Sequence, residues 1–568
     1  MLSKYFRELS LNKLTGIIFI IIVPLIAQIL FSKLGFNPTD DGFILAGARR
    51  ILEGQIPHLD FISIRPALSY YLYAPLVYFG GDYVVWISRY FVWFQFACIS
   101  WAWVLIANYV FKSFESPFKK ITIALIAFFF SAHYFPVMVW HTLDALFFSS
   151  LGILLLIKPS KSNLPKFFGY LLLGLTPLFR QNFVFIIPVT LFILNDWKKL
   201  KYLIAAIIPI ISYILYLASN NALKDAIIQL SSYSSTTIIQ TGLINYLDSS
   251  FIIGLTVGFF VILILSYKFS PKTGNINYYK FISITTVFGM LIITALSIAF
   301  PNATFTDYSS YVIIGLVLGF IMALSYKERK ITPYTILGIL VLIMAWCTSL
   351  SIGYDNPAIA TGPLVIYIIC SLICMSCRYL KKYDLKFNNF NSFYTRYITL
   401  LLIFLLIISG FSFGWARETH IYREDPAYCL NYSLDNISGM KFVNTNLNNY
   451  LMLNDLNKAQ TLVKEKGKKY AIIPDCAFIW ITSSQLDPLI IDWPQDVELN
   501  NPQVYNRLID DINSQKEDII FIVSKYESSE VYEGFKPLRY YKLVNYVHKN
   551  FRQIDETKYY ELYEYSNK

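Results

Sequence analysis

The sequence predicts a polytopic α-helical membrane protein, with about 13 transmembrane helices and a C-terminal extracytoplasmic α/β domain. Three observations lead there. Apolar stretches of spanning length recur from the N-terminus to about residue 415. The loops between them alternate between Lys/Arg-rich and Lys/Arg-poor, the pattern that separates cytoplasmic from external loops. The chain is 55% hydrophobic and only 15% charged, against about 25% charged in soluble chains. A mean hydropathy of +0.48 points the same way. In a soluble protein a net charge of +11 would point to nucleic acid. Here lysines lining cytoplasmic loops account for it, and no nucleic-acid partner is expected.

The first apolar run, 15–31, follows Lys4, Arg7 and Lys13, and no small-residue cleavage site comes after it. It reads as an uncleaved first helix with a cytoplasmic N-terminus. Basic loops at 111–120, 158–166, 197–201, 267–280, 326–330 and 377–396 fall on the cytoplasmic side. Loops near 32–82, 132–141, 179–182, 219–249, 301–310 and 352–362 face outward. The setting is the plasma membrane, the inner membrane of a bacterium.

Two hairpins, 120–158 and 166–198, are too short for two full crossings yet basic at both ends. In the second, about 28 residues shared by two helices reach only about 21 Å each, short of a 30 Å hydrocarbon core. Its tip, PLFRQN with Arg180, is predicted to sit below the headgroups. A charge there costs roughly 2.5–3.5 kcal/mol and needs an anionic partner or a wet cavity. A snorkelling arginine at a helix end is the alternative.

Residues 1–415 therefore form the transmembrane domain, with its first external loop at 32–82, and 416–568 a soluble extracytoplasmic domain. In the latter, YAIIPD, AFIWIT, DIIFIVSK and YYELYEY read as strands and LRYYKLVNYVHKNF as a helix.

The first external loop carries adjacent carboxylates, Asp40 and Asp41. Beyond them Ile44, Leu45, Ala48, Ile51 and Leu52 form one helical stripe, with Arg49, Arg50 and Glu53 on the other faces. The pattern predicts a helix over 41–53 lying at the membrane surface, ended by Pro57, and a second short helix from Pro66. Thr39, Asp40 and Asp41 occupy the N-cap region, where capping contributes roughly 1 kcal/mol. Only one residue can cap, and adjacent like charges repel, so at least one carboxylate is a candidate for catalysis or ligand binding.

TDDG, then ARRILEGQIPHLDF, then SIRPALSYYLYAPL resembles the first external loop of lipid-phosphosugar-dependent glycosyltransferases of the GT-C fold. The nearest branches are the aminoarabinose transferases and protein O-mannosyltransferases. This chain has RPAL where those relatives often have Lys-Pro-Pro-Leu, and DD in place of DE, which leaves the sugar open.

The resemblance implies a hexosyl- or pentosyltransferase moving a sugar from a polyprenyl-phosphate donor, with inversion, to a glycan, lipid or protein acceptor of the cell envelope. It implies Asp40 as general base, with Asp41 supporting it or binding sugar or metal. Arg65 and Arg180 become candidates for the lipid phosphate, and His58, Asp60, Arg49 and Gln181 further substrate-binding candidates. Arg65 can instead pair with Asp60, and Asp60 can be a turn residue. A transporter or lipid-linked-glycan flippase is the rival reading, and a non-catalytic assembly protein a third. No repeated halves of the kind transporters show are evident.

Weaker signals remain. His141 and Asp144, three apart at a helix start, can face one spot and, with Asp40 or Asp41, form a divalent-metal site; a hydrogen-bonded helix start is the plainer reading. Cys370, Cys374 and Cys377 sit at helical spacing in an apolar span and read as packing residues. Cys429 and Cys476 are free to form a disulfide in the external domain. Asn302, Asn431 and Asn436 head glycosylation sequons that read as accidental. Tyr233, Asp307 and Tyr308 can line an acceptor groove or act as interfacial residues.

Overall fold

The computed structural model describes residues 2–112, 116–133, 135–234, 246, 248–268, 276–300, 303–325, 331–350, 357–382, 388–474 and 476–566. The helical part runs α1 (Leu2–Phe31), α2 (Phe43–Leu52), α3 (Leu68–Gly80), α4 (Val84–Phe111), α5 (Pro117–Ala132), α6 (His141–Ile157), α7 (Leu164–Phe179), α8 (Ile186–Ile193), α9 (Leu200–Ser219) and α10 (Leu223–Ser234). It continues through α11 (Ser249–Lys268), α12 (Ile276–Ala299), α13 (Ala303–Ser325), α14 (Pro333–Ser349), α15 (Thr361–Lys382) and α16 (Asn388–Thr419). Proline stands in the first turn of α5, α7 and α14, where its missing N–H costs nothing.

Among the described residues, seven helical stretches are long and apolar enough to cross a bilayer, and five apolar helices are shorter, at 10–17 residues. The short ones include both helices of the second predicted hairpin, Leu164–Phe179 and Gln181–Ile193, and the returning helix of the first, His141–Ile157. On α1, Ile17, Ile18, Ile21, Leu25 and Ile29 face outward from the protein, as lipid-facing residues do. At the tip of the second hairpin Arg180 is the extended residue between α7 and a 3-10 turn at Gln181–Phe185, and it is buried.

The C-terminal part adds α17 (Leu447–Glu465), α18 (Pro502–Gln515) and α19 (Lys542–Asn550). A two-stranded ribbon pairs β1 (Tyr432–Ser433) with β2 (Asn444–Thr445). A four-stranded sheet has the order β3 (Lys469–Ile473), β4 (Ile519–Ser524), β6 (Tyr560–Glu564), β5 (Arg552–Glu556). β3 and β4 are parallel and the other pairs antiparallel. Ile520 and Ile522 pack in a core with Leu456 and Val463 of α17. Ile519, Phe521 and Val523 pack with Leu508 of α18 and Val544 of α19. Both faces of β4 are covered, which is why its run is continuously apolar.

Three expectations are corrected here. AFIWIT forms a 3-10 turn, Ala477–Ile481, not a strand. The helix in LRYYKLVNYVHKNF begins only at Lys542. α2 does not lie open at a membrane surface: Gly47 abuts Tyr70 of α3 and Gly42 abuts Phe478 of the C-terminal domain. Arg50, expected on a polar face, is buried too, with its Nε 2.8 Å from Asp492. The C-terminal domain docks on the first loop. The Gly35 N–H donates to the Asn444 carbonyl at 3.0 Å and the Ile62 N–H to the Ile490 carbonyl at 2.6 Å.

Candidate functional site: a carboxylate cleft at the domain end of the bundle

The chain turns sharply before α2. The Asn37 side-chain oxygen accepts from the N–H groups of Thr39 and Asp40, and Asp41 Oδ2 accepts from the Asn37 N–H at 3.0 Å. Gly42, with φ 102°, is the residue before the helix, and no side chain caps it. Neither carboxylate caps α2, and the N-cap reading falls because the left-handed turn at Gly42 carries both away from the helix start.

Each carboxylate has its own cation instead. Asp40 Oδ2 accepts from the Tyr422 hydroxyl and from Arg423 Nη1, both at 2.7 Å. Asp41 Oδ2 lies 3.4 Å from Arg89 Nη2, while its Oδ1 accepts no hydrogen bond among the described residues. Separate counter-charges resolve the like-charge conflict of the doublet. Burial pushes the Asp41 carboxyl above the usual carboxylate range, the Arg89 charge and the Asn37 N–H pull it down, and Asp40 raises it again.

Asp41 lines a cleft with about 430 Å3 of empty space, its opening to solvent included, and with Arg89, Arg417, His420 and Tyr422 among its walls. The ends of α1, α4 and α16 and the 136–138 segment enclose it. Arg89 is buried and donates to the carbonyls of Ser32, at 2.7 Å, and Gly35, at 2.8 Å. Arg417 donates to the Ala132 carbonyl and lies 4.8 Å from the Trp93 ring centroid. One carboxylate and two guanidinium groups thus share a solvent-connected cleft, an arrangement able to hold an anion beside a proton acceptor.

The other residues named from sequence fall elsewhere. Arg65 pairs with Glu498 at 2.8 Å rather than with Asp60, and lies 5.4 Å from the Phe43 ring and 5.5 Å from that of Trp493. Asp60 is a turn residue, accepting from the Ile56 N–H at 2.6 Å. Arg180 donates to the Leu350 carbonyl at 3.4 Å and, like Arg65, acts electrostatically on Glu498. Both arginines thus bear on Glu498, and neither lines the cleft at Asp41. Gln181 donates to the Ile64 carbonyl at 3.0 Å. His58 is held between Gln229, at 3.0 Å, and Tyr213, at 2.9 Å, and Arg49 makes a surface pair with Glu53 at 2.6 Å.

His141 and Asp144 do face one spot, and Ser69 occupies it. Asp144 accepts from Ser69, Tyr73 and Gln95, all at 2.7 Å. The Ser69 hydroxyl has one proton, which goes to Asp144, so it accepts from His141 Nδ1 at 2.8 Å. Among the described residues no three His, Cys, Asp or Glu side chains converge as metal ligands. Cys429 and Cys476 are separate thiols, as are Cys370 and Cys374. The side chains of Cys377, Tyr233, Asp307 and Tyr308, and the placement of Asn302, lie outside the described residues.

Arg89, Arg417, Tyr422, Arg423 and Glu498 were not reached from sequence. A signal existed for two of them: Arg89 and Arg417 each stand in the domain-end turns of a long apolar helix, where a charge is costly and functional by default.

Neither a scan against protein-family models nor a search of curated proteins finds a match to this chain. What the fold and cleft define is a class: a helical membrane-embedded protein whose C-terminal α/β domain covers its first inter-helix loop.

Proposed function

We propose that the protein is an integral membrane glycosyltransferase of GT-C-like architecture, with about 13 crossings and the C-terminal domain on the external side of the plasma membrane. It moves a sugar from a polyprenyl phosphate to a cell-envelope acceptor. A carboxylate takes the acceptor's hydroxyl proton as that oxygen bonds to the anomeric carbon. The bond from that carbon to the phosphate oxygen breaks, and guanidinium groups meet the charge of the departing lipid phosphate.

The observation that carries this reading is the shared cleft of Asp41, Arg89 and Arg417. Resemblance alone favours Asp40 as base. Geometry favours Asp41, because it lines the cleft beside Arg89 and Arg417, whereas Asp40 is not among the cleft's walls and is held by Tyr422 and Arg423. A carboxyl raised by burial is also the better matched base near neutral pH. The phosphate role passes from Arg65 and Arg180 to Arg89 and Arg417, since only the latter pair shares the cleft with Asp41. The test is sugar release from a polyprenyl-phosphate donor by purified wild-type protein, Asp40→Asn and Asp41→Asn. Asp41→Asn is expected to be inactive; full activity in that variant refutes the assignment.

A further inference from the structure

A second pocket, with about 310 Å3 of empty space including its opening to solvent, lies between α2, α3 and the C-terminal domain. Asp41 lines the first cleft, and Phe43, two residues on, lines this one. Its walls are aromatic, with Phe43 and Trp493 stacked at 5.0 Å between ring centroids and Tyr70 beside them. Its charged groups are Asp492, which pairs with Arg50 at 2.8 Å, and Arg65 and Glu498, joined at 2.8 Å through Glu498 Oε1.

Two polar atoms here are unsatisfied. Glu498 is only 4% exposed, and its Oε2 accepts no hydrogen bond among the described residues. The buried Trp493 Nε1–H has no acceptor among the described residues. An unmet buried donor costs about 1–3 kcal/mol, so the Trp493 N–H calls for a ligand acceptor, and the unengaged Glu498 oxygen at the same cavity offers that ligand's donor a partner. An apolar wall with a few convergent polar groups is how small-molecule sites are built. A hydroxyl group donates and accepts at once, and the C–H face of a sugar ring suits an aromatic surface.

We propose that this cavity binds a sugar unit of the acceptor, with one hydroxyl donating to Glu498 Oε2 and another accepting from Trp493 Nε1. Calling that sugar the acceptor rests on the transferase reading; that a sugar binds does not.

The test is titration calorimetry on the full-length protein in a sugar-free amphipol. The probes are the methyl glycosides of glucose, galactose, mannose and N-acetylglucosamine, with cyclohexylmethanol as apolar control. Saturable binding of at least one glycoside, and not of the control, is expected. Trp493→Phe keeps the ring and removes the N–H, so affinity should drop about tenfold, the effect of one lost hydrogen bond. Glu498→Gln should weaken binding as well. Asp41→Asn should bind as wild type does while losing transfer, which separates a failure of this proposal from a failure of the transferase reading. No saturable glycoside binding, or binding that Trp493→Phe leaves unchanged, overturns the proposal.

Discussion

Arg89 Nη2 is shared between the Gly35 carbonyl, at 2.8 Å, and the Asp41 carboxylate, at 3.4 Å, so one guanidinium fixes the loop and neutralises the acid within it. Arg89→Met should leave a buried carboxylate without its cation and two carbonyls without donors. Removing one partner of a buried pair costs about 3–5 kcal/mol. The unfolding temperature of the purified variant should fall accordingly; an unchanged value would mean that Arg89 carries no structural role.

Gly42 tests the docking of the C-terminal domain. A Cβ there would meet the Phe478 Cα at 2.6 Å, in a left-handed conformation. Gly54, at φ +83°, has the same kind of conformation with nothing within 4 Å. Gly54→Ala should cost only the backbone strain, about 1–2 kcal/mol. Gly42→Ala should cost clearly more and expose the domain junction to limited proteolysis. Equal effects from the two would remove the close approach from the account.

Arg50 provides a second test of that junction. Its Nε contacts both Asp492 oxygens, at 2.8 and 2.9 Å, and its Nη2 donates to the Leu489 carbonyl at 2.6 Å. Arg50→Met alone should destabilise by about 3–5 kcal/mol, whereas the double variant Arg50→Met/Asp492→Leu should lose less than that single change, because no unpaired charge remains buried. Thermal unfolding of the singles and the double closes the cycle; simple additivity would contradict it.

Glu424 predicts a pH dependence. It accepts hydrogen bonds from Thr445, Asn449 and the Phe36 N–H, and burial pushes its carboxyl up to about 7. A raised carboxyl binds its proton more tightly in the folded state. Its contribution is therefore full below the unfolded value near 4.5 and is lost as pH rises through about 7. The total is roughly 3 kcal/mol. His58, pushed by burial down to about 4, works oppositely, its contribution being lost as pH falls from 6.5 through about 4. The two slopes overlap, so the readout is a difference: the stability of Glu424→Gln relative to wild type should rise between pH 5 and pH 8. A flat difference would show that Glu424 ionises normally.

Much of this fold is legible in local sequence. The short second hairpin and the buried Arg180 follow from counting residues against bilayer thickness, and β3, β4 and β6 follow from their apolar runs. What escapes is set by long-range docking. AFIWIT has strand-like composition, yet its Phe478 packs against a glycine more than four hundred residues earlier in the chain. RQIDE of β5 is mostly exposed and carries no apolar alternation to announce a strand. The doublet itself stands out as adjacent charges, but which cation each member meets depends on Arg89 and Arg423, which only the tertiary fold brings there.

Asp41 as the base is tested most directly by transfer of a radiolabelled sugar from a polyprenyl phosphate, by the purified protein, to delipidated cell-envelope glycan and to envelope lipid. Wild type should transfer sugar to at least one of these, and Asp41→Asn should lose at least a hundredfold, in line with the ~10²–10⁴-fold that a general base contributes, while unfolding at a temperature close to wild type. Transfer by a folded Asp41→Asn protein at the wild-type rate would contradict that role.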